Sequence, residues 1–367
     1  VSGRIVLFGA TGYTGQLTAR ALVARGAAPV LAARSRARVE ALAAELGGLP
    51  FAMADVQQPA TVRALVEPGD VLISTVGPFL RWGEPALEAA IDAGAHYLDS
   101  SGEPPFIRAV FERYGPRAEA AGVGLLSAFG YDYVPGNLAG ALALREAGER
   151  AVSVDVGYFV GGAAQPSGGT RASAVGLLAE PAYVFAGGRV VTQRTARSVR
   201  SFDGRAAVSV GATEQFALPR VHPGLRDARV WMGWFGQAAR PLQAISAATA
   251  LATRLPGVRD AIGAAAERFV KGSTGGPDAA RREGALADRR RRLRRRRRPA
   301  RDRAPGGRQP LRLHRRDAGL GRDHRGRRGT ARTRRARPGG RIRARRAAGR
   351  RRRCRDRPAP VAVALDT

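Results

Sequence analysis

Three glycines, Gly9, Gly12 and Gly15, recur at three-residue spacing in the run Gly9-Ala10-Thr11-Gly12-Tyr13-Thr14-Gly15. The apolar tetrad Ile5-Val6-Leu7-Phe8 precedes them, and an amphipathic stretch with Leu17, Ala21 and Val23 follows as far as Gly26. A buried strand that feeds a glycine turn and then a helix is suited to binding a pyrophosphate. Missing side chains let the backbone approach the anion, and the N–H groups of the first helical turn point at it. The spacing G-x-x-G-x-x-G differs from the commoner G-x-G-x-x-G, and a strand-to-helix turn with no ligand would also use glycine. The setting, between a strand and a helix near the start of the chain, favours the dinucleotide reading. Gly9, Thr11, Gly12, Tyr13, Thr14 and Gly15 are therefore candidate cofactor contacts.

The next strand bears on which dinucleotide. NAD sites usually carry Asp or Glu about 20 residues past the fingerprint, bonded to the ribose hydroxyls. Here the strand Pro29 to Ala33 ends instead in Arg34-Ser35-Arg36. Two guanidiniums and a hydroxyl suit a 2′-phosphate, which arginine binds bidentately. A solvated helix start is the plainer alternative. NADP is expected ahead of NAD. Asp55 ends the third strand, and Thr75, Val76, Gly77 and Pro78 leave the fourth where a nicotinamide usually lies; they complete the cofactor set, although a plain glycine-proline turn would use the same residues.

Candidates for proton transfer and substrate contact lie in the loops that follow. Asp99-Ser100-Ser101-Gly102-Glu103 leaves the fifth strand with two carboxylates and two hydroxyls, although a helix cap explains half of that cluster. Glu103 is a candidate acid, and Ser101 and Gly102 are candidate substrate contacts. Gly130-Tyr131-Asp132-Tyr133-Val134-Pro135-Gly136 leaves the sixth strand. Tyr131 or Tyr133 could donate a proton with Asp132 orienting it, or the tyrosines could simply pack. Further on, Ser167, Gly168, Gly169 and Thr170 could hold an anion through backbone N–H groups, or form a flexible loop.

The elements that must position these loops alternate strand and helix through residue 150. Apolar residues at i, i+3, i+4 and i+7 mark helices such as Val39 to Leu46, while continuous runs such as Val71 to Val76 mark buried strands. This alternation predicts a doubly wound parallel sheet. His96 lies within the expected fifth strand and is expected to be a core residue with its hydrogen bonds satisfied, and a helix is expected over Pro104 to Ala121. From residue 151 the pattern changes. Strands are expected at Val152–Val160, Val190–Phe202, Ala206–Val210 and Arg229–Phe235, with helices at Ala172–Phe185, interrupted at Pro181, and at Gln237–Leu255 and Gly257–Val270. That is an α+β second domain, with a ligand cleft expected between it and the C-terminal edge of the sheet.

Net charge is +32, a value that would ordinarily suggest nucleic acid. Its distribution argues otherwise. Residues 281–367 hold 35 Arg and 7 acidic residues, whereas residues 1–280 hold 27 basic and 23 acidic ones. The 87-residue tail has no Phe, Tyr or Trp and only nine Leu, Ile or Val. Burial of so little apolar surface cannot offset an ordering entropy of roughly 1–2 kcal/mol per residue. A disordered Arg-rich tail is expected. No RNA-binding module or stacking aromatic accompanies the arginines, so no specific nucleic acid partner is expected. Translation in a shifted frame from near Ala280 accounts better for the composition. The chain has one Lys against 61 Arg, as a GC-rich coding sequence would give. One codon choice for Gln309 to Gly321, read a base later, encodes Asn-Pro-Tyr-Asp-Phe-Thr-Gly.

The single cysteine, Cys354, lies in that tail, and no histidines have metal-ligand spacing, so no metal site is expected. No apolar run approaches the ~20 residues a bilayer requires. A cytoplasmic location is the expectation.

With these residues assembled, the chain resembles the saccharopine dehydrogenase-like oxidoreductases, in particular the bacterial trans-acting enoyl reductase branch. The resemblance covers about residues 4–280 and rests on GATGYTG at 9–15, STVGPF at 74–79, YLDSSGE at 97–103, GYDYVPGN at 130–137 and SGGT at 167–170. It implies a Rossmann-type NADP-binding domain over 1–150 and an α+β substrate domain over 151–280, with hydride transfer from NADPH. The acceptor implied is a C=C bond of an enoyl, lipid or polyketide-type compound, or a C=N bond, in a small-molecule or lipid-linked substrate. The family's final segment, with a motif like NPYDFTG, is missing in frame, so the second domain is expected to be incomplete. A non-catalytic dinucleotide-binding protein, or an inactive frameshifted product, is the alternative. Oligomeric state is not fixed by the sequence.

Overall fold

The computed structural model describes residues 3–130, 133–159, 180–253 and 255–258, and the backbone of 361–366. Its first part runs β1 (Ile5–Phe8), α1 (Tyr13–Val23), β2 (Val30–Ala33), α2 (Arg36–Glu45), β3 (Phe51–Met53), α3 (Pro59–Arg63) and β4 (Val71–Ser74). It continues through α4 (Phe79–Trp82), α5 (Glu84–Ala93), β5 (His96–Asp99), α6 (Pro104–Ala109), α7 (Gly115–Ala120) and β6 (Leu125–Leu126). The strands form one six-stranded sheet in the order β3-β2-β1-β4-β5-β6, parallel throughout.

Strand periodicity explains the layering. Successive side chains of β1 point to opposite faces. Leu7 packs with Ala19, Leu31, Val39 and Leu42 on one side of the sheet. Val6 and Phe8 join Val62, Leu65, Leu87 and Ile91 on the other. Strand order reverses between β1 and β4, the switch point outside whose carboxyl ends open parallel sheets bind their ligands.

At the opposite end, buried Asp70 clamps the entries to β1 and β4. Its carboxylate accepts the backbone N–H groups of Arg4 (2.8 Å) and Glu67 (3.0 Å) and the Arg4 guanidinium (2.6 Å). Burial alone pushes this carboxyl up, but the guanidinium and the two N–H groups outweigh it and hold it below the usual range. A depressed carboxyl contributes stability that is complete above its unfolded value, about 3.9, and lost as pH falls through the lower folded value. Arg4 is half-exposed, so solvent screens the ionic part and the hydrogen bonds dominate. Asp70→Asn should therefore cost about 1–2 kcal/mol at neutral pH, a difference that shrinks in strong acid. Urea unfolding at both pH values checks this, and an unchanged neutral midpoint would refute the clamp.

A second, mixed sheet follows α8 (Val134–Ala147). Its strands are β7 (Ser153–Phe159), β8 (Pro181–Ala186), β9 (Arg189–Arg194), β10 (Val199–Phe202), β11 (Arg205–Val210), β12 (Asp227–Met232) and β13 (Val361–Asp366). The order is β10-β11-β12-β7-β13, with the β8–β9 hairpin attached to β12. α9 (Glu214–Val221) precedes β12, and α10 (Ala239–Ala252) follows it.

Several expectations are corrected here. The helix expected over Ala172–Phe185 is a strand from Pro181 onward, and residues 172–179 lie outside the described residues. Aromatic and β-branched Tyr183, Val184 and Phe185 pair with β9, and Gly187 and Gly188 reverse the chain at φ of 62° and 83°. The single strand expected over Val190–Phe202 is divided at Ala196, which has φ 53°. The helix over 104–121 is interrupted by a π-helical turn at Val110–Tyr114. His96, expected in the core, is exposed, and its Nδ1 accepts the Gly124 N–H at 2.9 Å. α8 and α9 have no counterpart in the sequence reading; Pro135 and Gly136 look like breakers. Yet proline suits a first helical turn, where its missing N–H costs nothing. The helix expected at Gly257–Val270 falls beyond the described residues after Val258.

The tail is corrected at its end. Residues 281–360 lie outside the described residues, but β13 is ordered as a parallel strand on β7, with Val361 opposite Val154 and Asp366 opposite Phe159. Val361 to Asp366 is free of arginine and rich in strand formers, and an edge of β7 offers it backbone partners. No helix among the described residues is long and apolar enough to cross a membrane.

Candidate functional site

The glycine turn between β1 and α1 sits at that switch point. Gly9 adopts φ +84°, a conformation open to glycine, and its N–H donates to the Ala32 carbonyl at 2.9 Å. A Cβ there would stand 2.7 Å from Thr75 Oγ1 and 2.9 Å from Val76 Cγ2. Gly15 is buried, and a Cβ would overlap the Gly9 carbonyl. Close packing of helix on strand therefore requires both glycines. Gly12 differs. It is exposed, and the nearest protein atom to a Cβ would be the Gly9 carbonyl oxygen at 3.3 Å. It opens α1 with no side-chain cap over the helix start. The protein's own packing barely opposes a side chain at Gly12, whereas an anion seated on α1 would exclude one. The cradle fits a pyrophosphate.

At the end of β2, Ser35 stands at the N-cap of α2 but its hydroxyl makes no capping bond. Arg34 is exposed and forms no ion pair with the described residues, while Arg36 places its guanidinium 5.9 Å from the Phe51 ring centre. The sequence reading missed Arg38. Its Nη2 donates to the Thr11 carbonyl at 2.9 Å, alongside Gln16 Nε2 at 3.1 Å, tying α2 to the glycine turn. The alternating arginines at 34, 36 and 38 were the available signal. Asp55 shapes its own turn, its Oδ1 accepting the Gln57 N–H at 3.0 Å.

Across the switch point, Thr75 Oγ1 donates toward the carbonyl oxygens of Phe8 (3.0 Å) and Gly9 (3.2 Å). It belongs to the turn. Val76 is half-buried, and Gly77 and Pro78 are exposed. Glu103 is not free. Its Oε1 accepts the Phe79 N–H and its Oε2 the Leu80 N–H, each at 2.9 Å. Ser101 Oγ in turn accepts the Glu103 N–H at 3.1 Å, and the Ser101 N–H donates to Asp99 Oδ1 at 2.8 Å. The same Asp99 oxygen accepts the Ala128 N–H at 2.7 Å, and the Asp99 carbonyl accepts the Phe129 N–H at 2.7 Å. Burial pushes the Asp99 carboxyl above the ordinary range against the pull of these N–H groups. Asp99 thus binds the loops after β5 and β6 together, a role the sequence reading did not assign. Gly102 has open space where a Cβ would be.

Tyr133 is buried, with its ring edge-on to Tyr158 at 6.3 Å between centroids. Packing, the alternative weighed for the tyrosines, describes its ring. Tyr131, Asp132, Ser167, Gly168, Gly169 and Thr170 lie outside the described residues. No group of three or more His, Cys, Asp or Glu among the described residues is placed to hold a metal ion.

A parallel sheet of this order with a glycine turn at its switch point defines a Rossmann-type dinucleotide-binding domain. Residues 5–126 match the family model for the saccharopine dehydrogenase NADP binding domain. A trans-acting enoyl reductase of Mycobacterium ulcerans is 39% identical over 140 residues, 36% of this chain and 34% of that protein. A trans-acting enoyl reductase of Mycobacterium bovis is 37% identical over the same length. The match spans about a third of these relatives' length. Among solved structures, apo saccharopine dehydrogenase (L-Glu forming) of Saccharomyces cerevisiae aligns over 63% of this chain and 55% of its own, at 17% identity and a TM-score of 0.43.

Proposed function

We propose that the chain is an NADPH-dependent oxidoreductase that reduces a C=C bond of an enoyl substrate, lipid-linked or polyketide-type, or a C=N bond. The observation that carries this reading is Gly12, an exposed glycine at the uncapped start of α1 that protein packing alone does not require. Bound NADPH would supply a hydride from its nicotinamide ring. The chain's own part is to hold and orient. Gly12 and the first turn of α1 receive the pyrophosphate, and Arg34, Ser35 and Arg36 receive the 2′-phosphate. Thr75 to Pro78 border the nicotinamide side. Tyr131, with Asp132, is the proposed proton donor, and Ser101, Gly102 and residues 167–170 are proposed substrate contacts. Relatives that are trans-acting enoyl reductases by name support the C=C alternative.

The test is a titration of NADPH and NADH against wild type and Arg34→Ala. Loss of charge-assisted bonds to the phosphate should weaken NADPH roughly ten- to a hundredfold and leave NADH unchanged. Equal affinities in the wild type would overturn the assignment. The engaged carboxylate of Glu103 and the buried ring of Tyr133 favour a second reading, a dinucleotide-binding protein without catalysis. NADPH oxidation measured with enoyl thioesters and cyclic imines separates the two readings.

A further inference from the structure

We propose that Glu103 is a positioning residue that sets the shape of the cofactor-facing turn at Gly77 and Pro78. The inference rests on the cofactor reading above and gives Glu103 a different role from the acid expected in the sequence. Both of its oxygens are occupied, one by the N–H of Phe79 and one by that of Leu80. These are the two N–H groups that directly follow the exposed Gly77-Pro78 pair. They open the four-residue α4, where an N–H has no partner within the helix. A carboxylate that accepts backbone N–H groups makes shorter and stronger bonds than a neutral acceptor.

The remaining holds on this turn lie to either side. Phe79 is buried and packs on Phe106 at 5.6 Å between ring centres, which anchors α4 from behind. Thr75 anchors the other end to β1 through the Phe8 and Gly9 carbonyls. Between these anchors, Gly77 and Pro78 are held to the neighbouring loop through Glu103. The constraint runs further, because Glu103 is held by Ser101, Ser101 by Asp99, and Asp99 holds Ala128 after β6. One pentapeptide, Asp99 to Glu103, thus ties together the loops after β4, β5 and β6. Nicotinamide and substrate would meet at these loops. Removing the Glu103 carboxylate should loosen the nicotinamide side while leaving the adenylate side, at α1 and β2, as it was.

Binding of two ligands to the full-length protein tests this: NADPH, and 2′-phospho-ADP-ribose, which lacks the nicotinamide. Glu103→Ala should bind NADPH roughly tenfold more weakly and 2′-phospho-ADP-ribose as the wild type does. Glu103→Gln keeps one acceptor oxygen and should fall between. Hydrogen exchange at the Phe79 and Leu80 amides should accelerate in the alanine variant. If Glu103→Ala does not fold, the same split between ligands in Glu103→Gln decides the matter. Equal weakening of both ligands would reveal a general structural role and overturn the proposal. So would unchanged binding of both. Wild-type protein that binds neither ligand would overturn the cofactor reading itself, a result distinct from either of these.

Discussion

Gly12→Val is expected to weaken NADPH binding at least about a hundredfold while the protein stays folded, a loss of roughly 3 kcal/mol. The backbone tolerates the change. Gly12 has φ −75° and ψ 167°, an extended conformation open to a branched residue. Among the described residues, the only atom within 4 Å of a Cβ is the Gly9 carbonyl oxygen at 3.3 Å, so the fold yields a few tenths of an ångström at most. A bound pyrophosphate has no such freedom, since it must approach the N–H groups where the isopropyl group would project. Gly15 is the contrast. A side chain there overlaps the Gly9 carbonyl, so Gly15→Val should lose fold and binding together. Fluorescence titration with NADPH, with circular dichroism melts of each variant, separates these outcomes. A folded Gly12→Val protein that binds NADPH normally would end the pyrophosphate reading.

The contrast between Gly12 and Gly15 also marks what sequence could reveal. The motif placed three glycines at a strand-to-helix turn, and the structure puts them there. Sequence alone could not say that Gly9 and Gly15 serve packing while Gly12 faces outward. That distinction depends on Thr75 and Val76, more than sixty residues away, closing over Gly9. The parallel sheet was legible because its strands are short continuous apolar runs and its helices have an apolar face. The second sheet was less so. Pro181 and the alanines before it resemble a helix until Tyr183 to Phe185 find partners in β9, a pairing set by tertiary contacts rather than local preference.

The site was legible by residue type and less so by role. Asp99 and Glu103 were visible as carboxylates beside a cleft. Whether such a group faces substrate or backbone is decided by which N–H groups lack partners nearby. Phe79, Leu80, Ser101 and Ala128 supply those N–H groups, and the sequence does not mark them. Arg38 was missed for a similar reason. Its target is the backbone carbonyl of Thr11, and carbonyls leave no trace in a residue pattern.

Gly136→Ala is expected to destabilise the protein by about 3 kcal/mol or more, and a single added methyl group is the cause. Gly136 lies in the first turn of α8, where a Cβ would overlap both the Tyr158 hydroxyl and Glu214 Oε1. Those two groups are hydrogen-bonded to each other, Tyr158 donating to Glu214, and both are buried. Burial pushes the Tyr158 hydroxyl's pKa up and the neighbouring carboxylate pushes it further, so it remains a donor at any ordinary pH. The pair has little room to yield. Gly140, one turn along, already sits against Leu218, and Asn137 Nδ2 bonds the Thr213 hydroxyl at 2.7 Å beside Glu214. An alanine must therefore push α8 off β7 and α9, or part the tyrosine from the carboxylate. Parting them deprives a buried carboxyl group of one hydrogen-bond partner, which is costly in a low-dielectric interior. Urea unfolding of Gly136→Ala gives the magnitude. The double variant Gly136→Ala/Tyr158→Phe tests the cause: deleting the hydroxyl removes the nearest of the three atoms the methyl would meet, while Tyr158 Cζ and Glu214 Oε1 remain, so the two changes together should cost less than the sum of the single ones. If the single variant is as stable as wild type, α8 does not dock on Tyr158 and Glu214 in this way. If the double variant is worse by the sum of its parts, the clash lies elsewhere.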